Sequence, residues 1–74
     1  IKEDYRRELL VCLEKFIACG LNLSATAKAL FIHRHTVIYR VEKIEGILQV
    51  KLQELSQNEL ELIRLSCRLM LAEE

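Results

Sequence analysis

A compact all-α domain of four helices is the fold this sequence predicts, and three observations predict it. It contains no proline and only Gly20 and Gly46 as glycines, so little in it interrupts a helix. Apolar residues recur at three- and four-residue spacing through most of its 74 residues. Helix-capping residues stand at the places where that spacing breaks.

The first helix is expected over Asp4–Cys19. Tyr5, Leu9, Cys12, Leu13, Phe16 and Ile17 line one side of it, and Arg7, Glu8, Glu14 and Lys15 fall on the other. Gly20 follows where a left-handed C-terminal cap is wanted, and Asn22 is suited to cap a new helix two residues later. The second helix is expected from about Leu23 to Leu30. Leu23, Thr26, Ala27 and Leu30 face inward, and its alanines permit a close approach of helix axes.

Phe31-Ile32 interrupts the pattern, and a third helix is expected to start near His33. Its core stripe is Val37, Val41, Ile44 and Leu48, and Gly46 weakens it near its end by about 1 kcal/mol relative to alanine. After the connector QVKLQEL, the run Ser56-Gln57-Asn58-Glu59 has the spacing of a capping box and predicts a fourth helix. That helix carries two apolar stripes, Leu60-Ile63-Cys67-Met70 and Leu62-Leu65-Leu69. Together they are wider than one small core requires, so some of this surface calls for another partner.

Several function classes are excluded or disfavoured by composition. No apolar run approaches the roughly 18 residues of a membrane span and no leader precedes the first helix, so a cytoplasmic, soluble chain is expected. Cys12 and Cys19 lie about 10.5 Å apart along one helix, beyond the roughly 7 Å a disulfide tolerates, so the cysteines are expected to be reduced. No CxxC or HxxxH spacing supports a metal site, no cofactor is implied, and no nucleophile comes with a recognisable base, so catalysis is not expected. The first residue, Ile1, leads to the expectation of a piece cut from a longer chain.

Charge is balanced overall, with 11 basic and 11 acidic residues, but it is unevenly distributed. Residues 24–43 hold Lys28, Arg34, Arg40 and Lys43 against Glu42 alone, whereas residues 54–74 hold five acidic and two basic groups. The local patch, not the sum, attracts a polyanion.

Two helices joined by a short turn, with small Ala27 in the first, apolar Ile32 in the turn and Val37 anchoring the second, describe a helix-turn-helix. His33, Arg34, His35, Thr36, Ile38, Tyr39, Arg40 and Lys43 then fall at the start and on the outer side of the helix that would enter a DNA major groove. Arg34 suits a phosphate or a guanine edge, and Thr36 a phosphate or simply the first turn. His33 suits a helix cap or a phosphate neighbour better than a base, and His35 is open between DNA contact and solvent. Tyr39 is either a phosphate donor or half-buried structure. Arg40 and Lys43 are contacts or ordinary solvated or paired cations, and Ser24 is a phosphate contact or support for a cap. Ile38 either meets a thymine methyl or tucks against the second helix.

The run NLSATAKALFIHRHTVIYRVEKIEGIL resembles the C-terminal helix-turn-helix of the PucR/CdaR family of bacterial transcriptional regulators and, more distantly, the DNA-binding end of the Fis protein. The likeness covers about Leu9 to Leu71, and Arg34, Thr36, Tyr39 and Arg40 match the pattern. It departs at His35, where the family usually has asparagine, at Ile38, commonly arginine, and at Glu42, often basic. The resemblance implies a Fis-like fold, sequence-specific binding of double-stranded operator DNA as a homodimer or larger assembly, and a sensory domain elsewhere in the protein. The rival expectation is a helical protein-interaction module without DNA contact.

Overall fold

A computed structural model describes residues 3–73. Four helices, α1 (Glu3–Ala18), α2 (Leu23–Leu30), α3 (Arg34–Leu48) and α4 (Gln57–Ala72), are joined by short turns, with a single 3₁₀ turn over Leu52–Glu54 between the last two. The predicted boundaries hold to within a residue or two. α1 is the central element and packs on all three other helices. Its Leu9, Cys12, Leu13, Phe16 and Ile17 form the middle of the core with Ala27, Val37, Val41, Ile44, Leu52, Leu60 and Cys67 around them.

Helix ends are specified by backbone bonds that satisfy orphaned carbonyls. After α1, the Gly20 N–H donates to the Ile17 carbonyl at 3.0 Å and the Leu21 N–H to the Phe16 carbonyl at 2.9 Å. Gly20 takes φ 68 there, the left-handed cap expected of a glycine. α2 ends in the same way with a different residue. Phe31 takes φ 57, its N–H donating to the Lys28 carbonyl at 3.3 Å and the Ile32 N–H to the Ala27 carbonyl at 3.0 Å. Gln49, at φ 58, ends α3. A left-handed residue other than glycine costs on the order of 1 kcal/mol, so the turns after α2 and α3 are held by the packing around them.

Helix starts follow the expected side chains. The Ala25 N–H donates to the Asn22 side chain at 2.8 Å, and the Thr26 hydroxyl donates to the Asn22 carbonyl at 2.7 Å. This second bond lets Thr26 sit fully buried without an orphaned hydroxyl. At the start of α4 the Ser56 N–H donates to the Glu59 carboxylate at 2.8 Å and the Glu59 N–H to the Ser56 hydroxyl at 3.1 Å, the reciprocal bonds of a capping box. Arg64 of α4 reaches Glu14 of α1 at 3.4 Å and also pairs with Glu61 one turn earlier. The cysteines are free, with Cys12 and Cys67 buried and Cys19 half-buried. Burial pushes both buried thiols up from their ordinary pKa.

α3 runs through Gly46 to Leu48, as its expected stripe requires. One expectation needs correction. Leu48, expected in the core, is 43% exposed; it borders an open apolar groove that it shares with Leu10 and Leu13 of α1 and with Leu62 and Met70 of α4. The connector supplies a core residue. Leu52 is completely buried, and its N–H donates to the Glu45 carboxylate at 2.9 Å, so the 3₁₀ turn pins the chain beneath the end of α3.

Candidate nucleic-acid interface

The crossing of α2 and α3 carries the candidate site. Ala27 is buried where the helices approach, Ile32 packs on the core from the turn, and Val37 is fully buried beneath the first turn of α3. These contacts brace the first turns of α3 from beneath and leave its outer side exposed at Arg34 and His35. His33 occupies the N-cap position with extended backbone angles, but its side chain makes no capping bond. Its carbonyl accepts from the Thr36 and Val37 N–H groups at 3.0 and 3.2 Å, which leaves the imidazole exposed at the surface.

Arg34, His35, Tyr39 and Lys43 are exposed and Thr36 is half-buried beside them. The first turns of α2 and α3 contain no acidic residue. The positive ends of both helix dipoles therefore face solvent without a carboxylate to neutralise them, an environment that favours phosphate. Ser24 is exposed in the first turn of α2. The cap of that helix is supplied by Asn22, so Ser24 is not needed for it. Glu42 is exposed one turn beyond Ile38 and Tyr39 and is the acidic group on this face.

Two of the candidate side chains point elsewhere. Arg40, expected on the outer side, is turned toward α1: its side chain is 19% exposed and lies 3.4 Å from the Glu8 carboxylate. Position 40 follows the core residue Val37 by three, so it flanks the buried stripe instead of opposing it. Beside this pair the Tyr5 hydroxyl is buried with no hydrogen-bond partner among the described residues. Burial, and then the neighbouring Tyr39 hydroxyl, hold the Tyr5 phenol above its ordinary pKa. Ile38 is half-buried and borders a cleft shared with Phe16, Leu21 and Leu23.

Glu8 and Tyr5 were not singled out from the sequence, because nothing local links them to α3. Among the described residues no three histidine, cysteine or acidic side chains gather as metal ligands, and no helix is long and apolar enough to cross a membrane. The assembled features are an exposed cationic helix end, two unneutralised helix N-termini and a hydroxyl-bearing rim. They suit a polyanion with a groove better than a small molecule.

Comparison with known proteins gives the same direction. Residues 9–69 match the PucR C-terminal helix-turn-helix domain. The chain is similar to the purine catabolism regulatory protein of Bacillus subtilis (strain 168), with 40% identity over 53 residues, covering 72% of this chain and 10% of that protein. It is also similar to the DNA-binding transcriptional activator AdeR of the same organism, with 32% identity over 54 residues, covering 73% of this chain and 13% of that protein. The chain thus spans only about a tenth of the length of these relatives. No solved structure matches.

Proposed function

Because this chain belongs to the family of PucR C-terminal helix-turn-helix domains, we propose that it binds double-stranded DNA in a sequence-specific manner as the DNA-reading part of a bacterial transcriptional regulator. The observation that carries this proposal is the free N-terminal end of α3. Arg34 and His35 are exposed there, no acidic residue occupies the first turn, and Val37 and Ala27 brace the helix from beneath. Arg34 contacts a guanine edge or a phosphate, and Thr36, His33, Tyr39, Lys43 and Ser24 serve the phosphate backbone. His35 faces the groove. Arg40 joins the contacts only by leaving Glu8, and Ile38 contributes chiefly to packing. The activity is binding, without catalysis, and it is exercised in the cytoplasm. A sensory domain in the remainder of the protein controls it, as the much greater length of the relatives suggests.

The exposed stripe of α4 supports assembly into a homodimer. Leu62, Leu65 and Leu69 stand at three- and four-residue spacing on its open face, and Glu61 and Arg68 flank them seven residues apart. Two copies of α4 running antiparallel would bury the leucines and set each Arg68 beside the Glu61–Arg64 pair of the other copy. Dimeric readers place their two reading helices about 34 Å apart, in successive major grooves.

Titration of the domain against duplex DNA over a range of salt concentrations tests the proposal. Log affinity should fall linearly with log salt, with a slope near −0.9 for each phosphate contacted. Absence of duplex binding even at low salt would favour a protein-interaction module instead.

A further inference from the structure

The turn between α2 and α3 holds a residue that the folded domain does not use. Phe31 occupies the left-handed position of the motif that ends α2, at φ 57, where glycine is the unstrained choice and a bulky side chain is an outlier. Its ring is 93% exposed, whereas Leu30 and Ile32 on either side both pack against the core. A single exposed apolar side chain needs no explanation by itself. The combination does, because this ring is conformationally unfavourable and also unburied. After α1 the equivalent position is held by Gly20, and the left-handed residue that follows it, Leu21 at φ 62, packs its side chain against the core.

Position offers a reason for the aromatic. His33 caps α3 two residues later and Arg34 begins it, so Phe31 sits at the end of α3 that leads into the groove. The rim of a major groove is built of phosphates joined by deoxyribose rings, and the C–H edges of those rings are apolar. We infer that Phe31 is a DNA-contacting residue whose ring lies against the deoxyribose edge bordering the groove that Arg34 enters, an assignment that rests on the DNA-binding reading above. Such a contact displaces no counterion and reads no base. It therefore adds affinity common to all duplexes and independent of salt, unlike the contacts made by Arg34 or Lys43.

Phe31→Gly tests this with two readouts of opposite sign. Relief of the left-handed strain should raise the thermal midpoint of the isolated domain, by about 4 °C if the gain matches a typical glycine replacement in a domain of this size. Affinity for duplex DNA should weaken about tenfold, the worth of covering roughly half a phenyl ring. The loss should be the same factor at each salt concentration, with an unchanged slope of log affinity against log salt. A stabilised variant that binds DNA as tightly as the parent domain would overturn the contact and leave the DNA-binding function standing. A lowered melting temperature would show that the ring supports the fold, and a flattened salt slope that a charge interaction was lost; either result overturns the inference. Failure of the parent domain to bind any duplex would overturn both the contact and the function it rests on.

Discussion

The Arg40 guanidinium lies 3.4 Å from the Glu8 carboxylate, joining α3 to α1 across 32 positions of sequence. Glu8 is a direct competitor for the charge that a phosphate would want. Its side chain is half-exposed, so the pair contributes little to stability, below about 1 kcal/mol. Glu8→Gln should leave the melting temperature nearly unchanged while tightening DNA binding. With Arg40 released, the slope of log affinity against log salt should steepen by about 0.9, one added phosphate contact. An unchanged slope in the variant would mean that Arg40 stays with α1 when DNA binds.

Arg34 is exposed and Thr36 half-buried, and neither side chain forms a hydrogen bond or ion pair among the described residues, so their loss should be felt mainly by the ligand. Arg34→Ala should cost about 1–3 kcal/mol of DNA affinity, with Thr36→Ala causing a smaller loss. Both variants should keep the helical circular-dichroism spectrum and melting temperature of the parent. Equal affinity for a selected duplex in parent and Arg34→Ala would remove Arg34 from the interface.

Much of the fold was legible because its determinants are local. Gly20, Asn22 and the Ser56–Glu59 box mark helix ends through bonds that span three to five residues, and such signals survive in a single sequence. The exposure of Arg34, His35 and Tyr39 likewise follows from helical phase alone. Features that depend on contacts across the fold were not legible. Leu52 stands between Val50 and Leu55 in a connector with no helical period to single it out, and its burial depends on a turn held by the Glu45 carboxylate seven residues earlier. Helical phase puts Arg40 beside the buried stripe, three residues after Val37, and leaves it open between contact and pairing, but its partner Glu8 lies 32 positions away and depends on how α1 crosses α3. The left-handed conformations at Phe31 and Gln49 lack the glycine that announces one at Gly20.

The leucine stripe of α4 predicts a concentration-dependent dimer. Leu62 and Leu69 are 66% and 67% exposed, so replacing them removes little from the domain's own core. Leu62→Gln combined with Leu69→Gln should therefore preserve the fold while converting a dimer to a monomer in sedimentation. It should also weaken binding to a two-half-site duplex far more than to one half-site. A parent domain that sediments as a monomer at high concentration would assign the stripe to another part of the protein.

Ile38 poses a choice between groove and packing that a single substitution resolves. Helical phase puts it on the outer side, where a thymine methyl would be an apolar partner. Its half-burial beside Phe16, Leu21 and Leu23 gives it an intramolecular partner already. Replacing it with arginine adds a cation to a helix that already seeks phosphate, so on the groove alternative Ile38→Arg should bind unrelated duplexes more tightly, with a steeper salt slope and an unaltered melting temperature. On the packing alternative the guanidinium must either displace the neighbouring apolar contacts or swing out and leave their surface uncovered. Both lower stability, by about 1 kcal/mol for the half-buried methyl groups lost, or about 4–8 °C in a domain of this length. The contacts with α1 and with the turn that follows it favour this second outcome, so we expect the melting temperature to fall. An arginine variant that melts with the parent and gains non-specific affinity would return Ile38 to the DNA-facing surface.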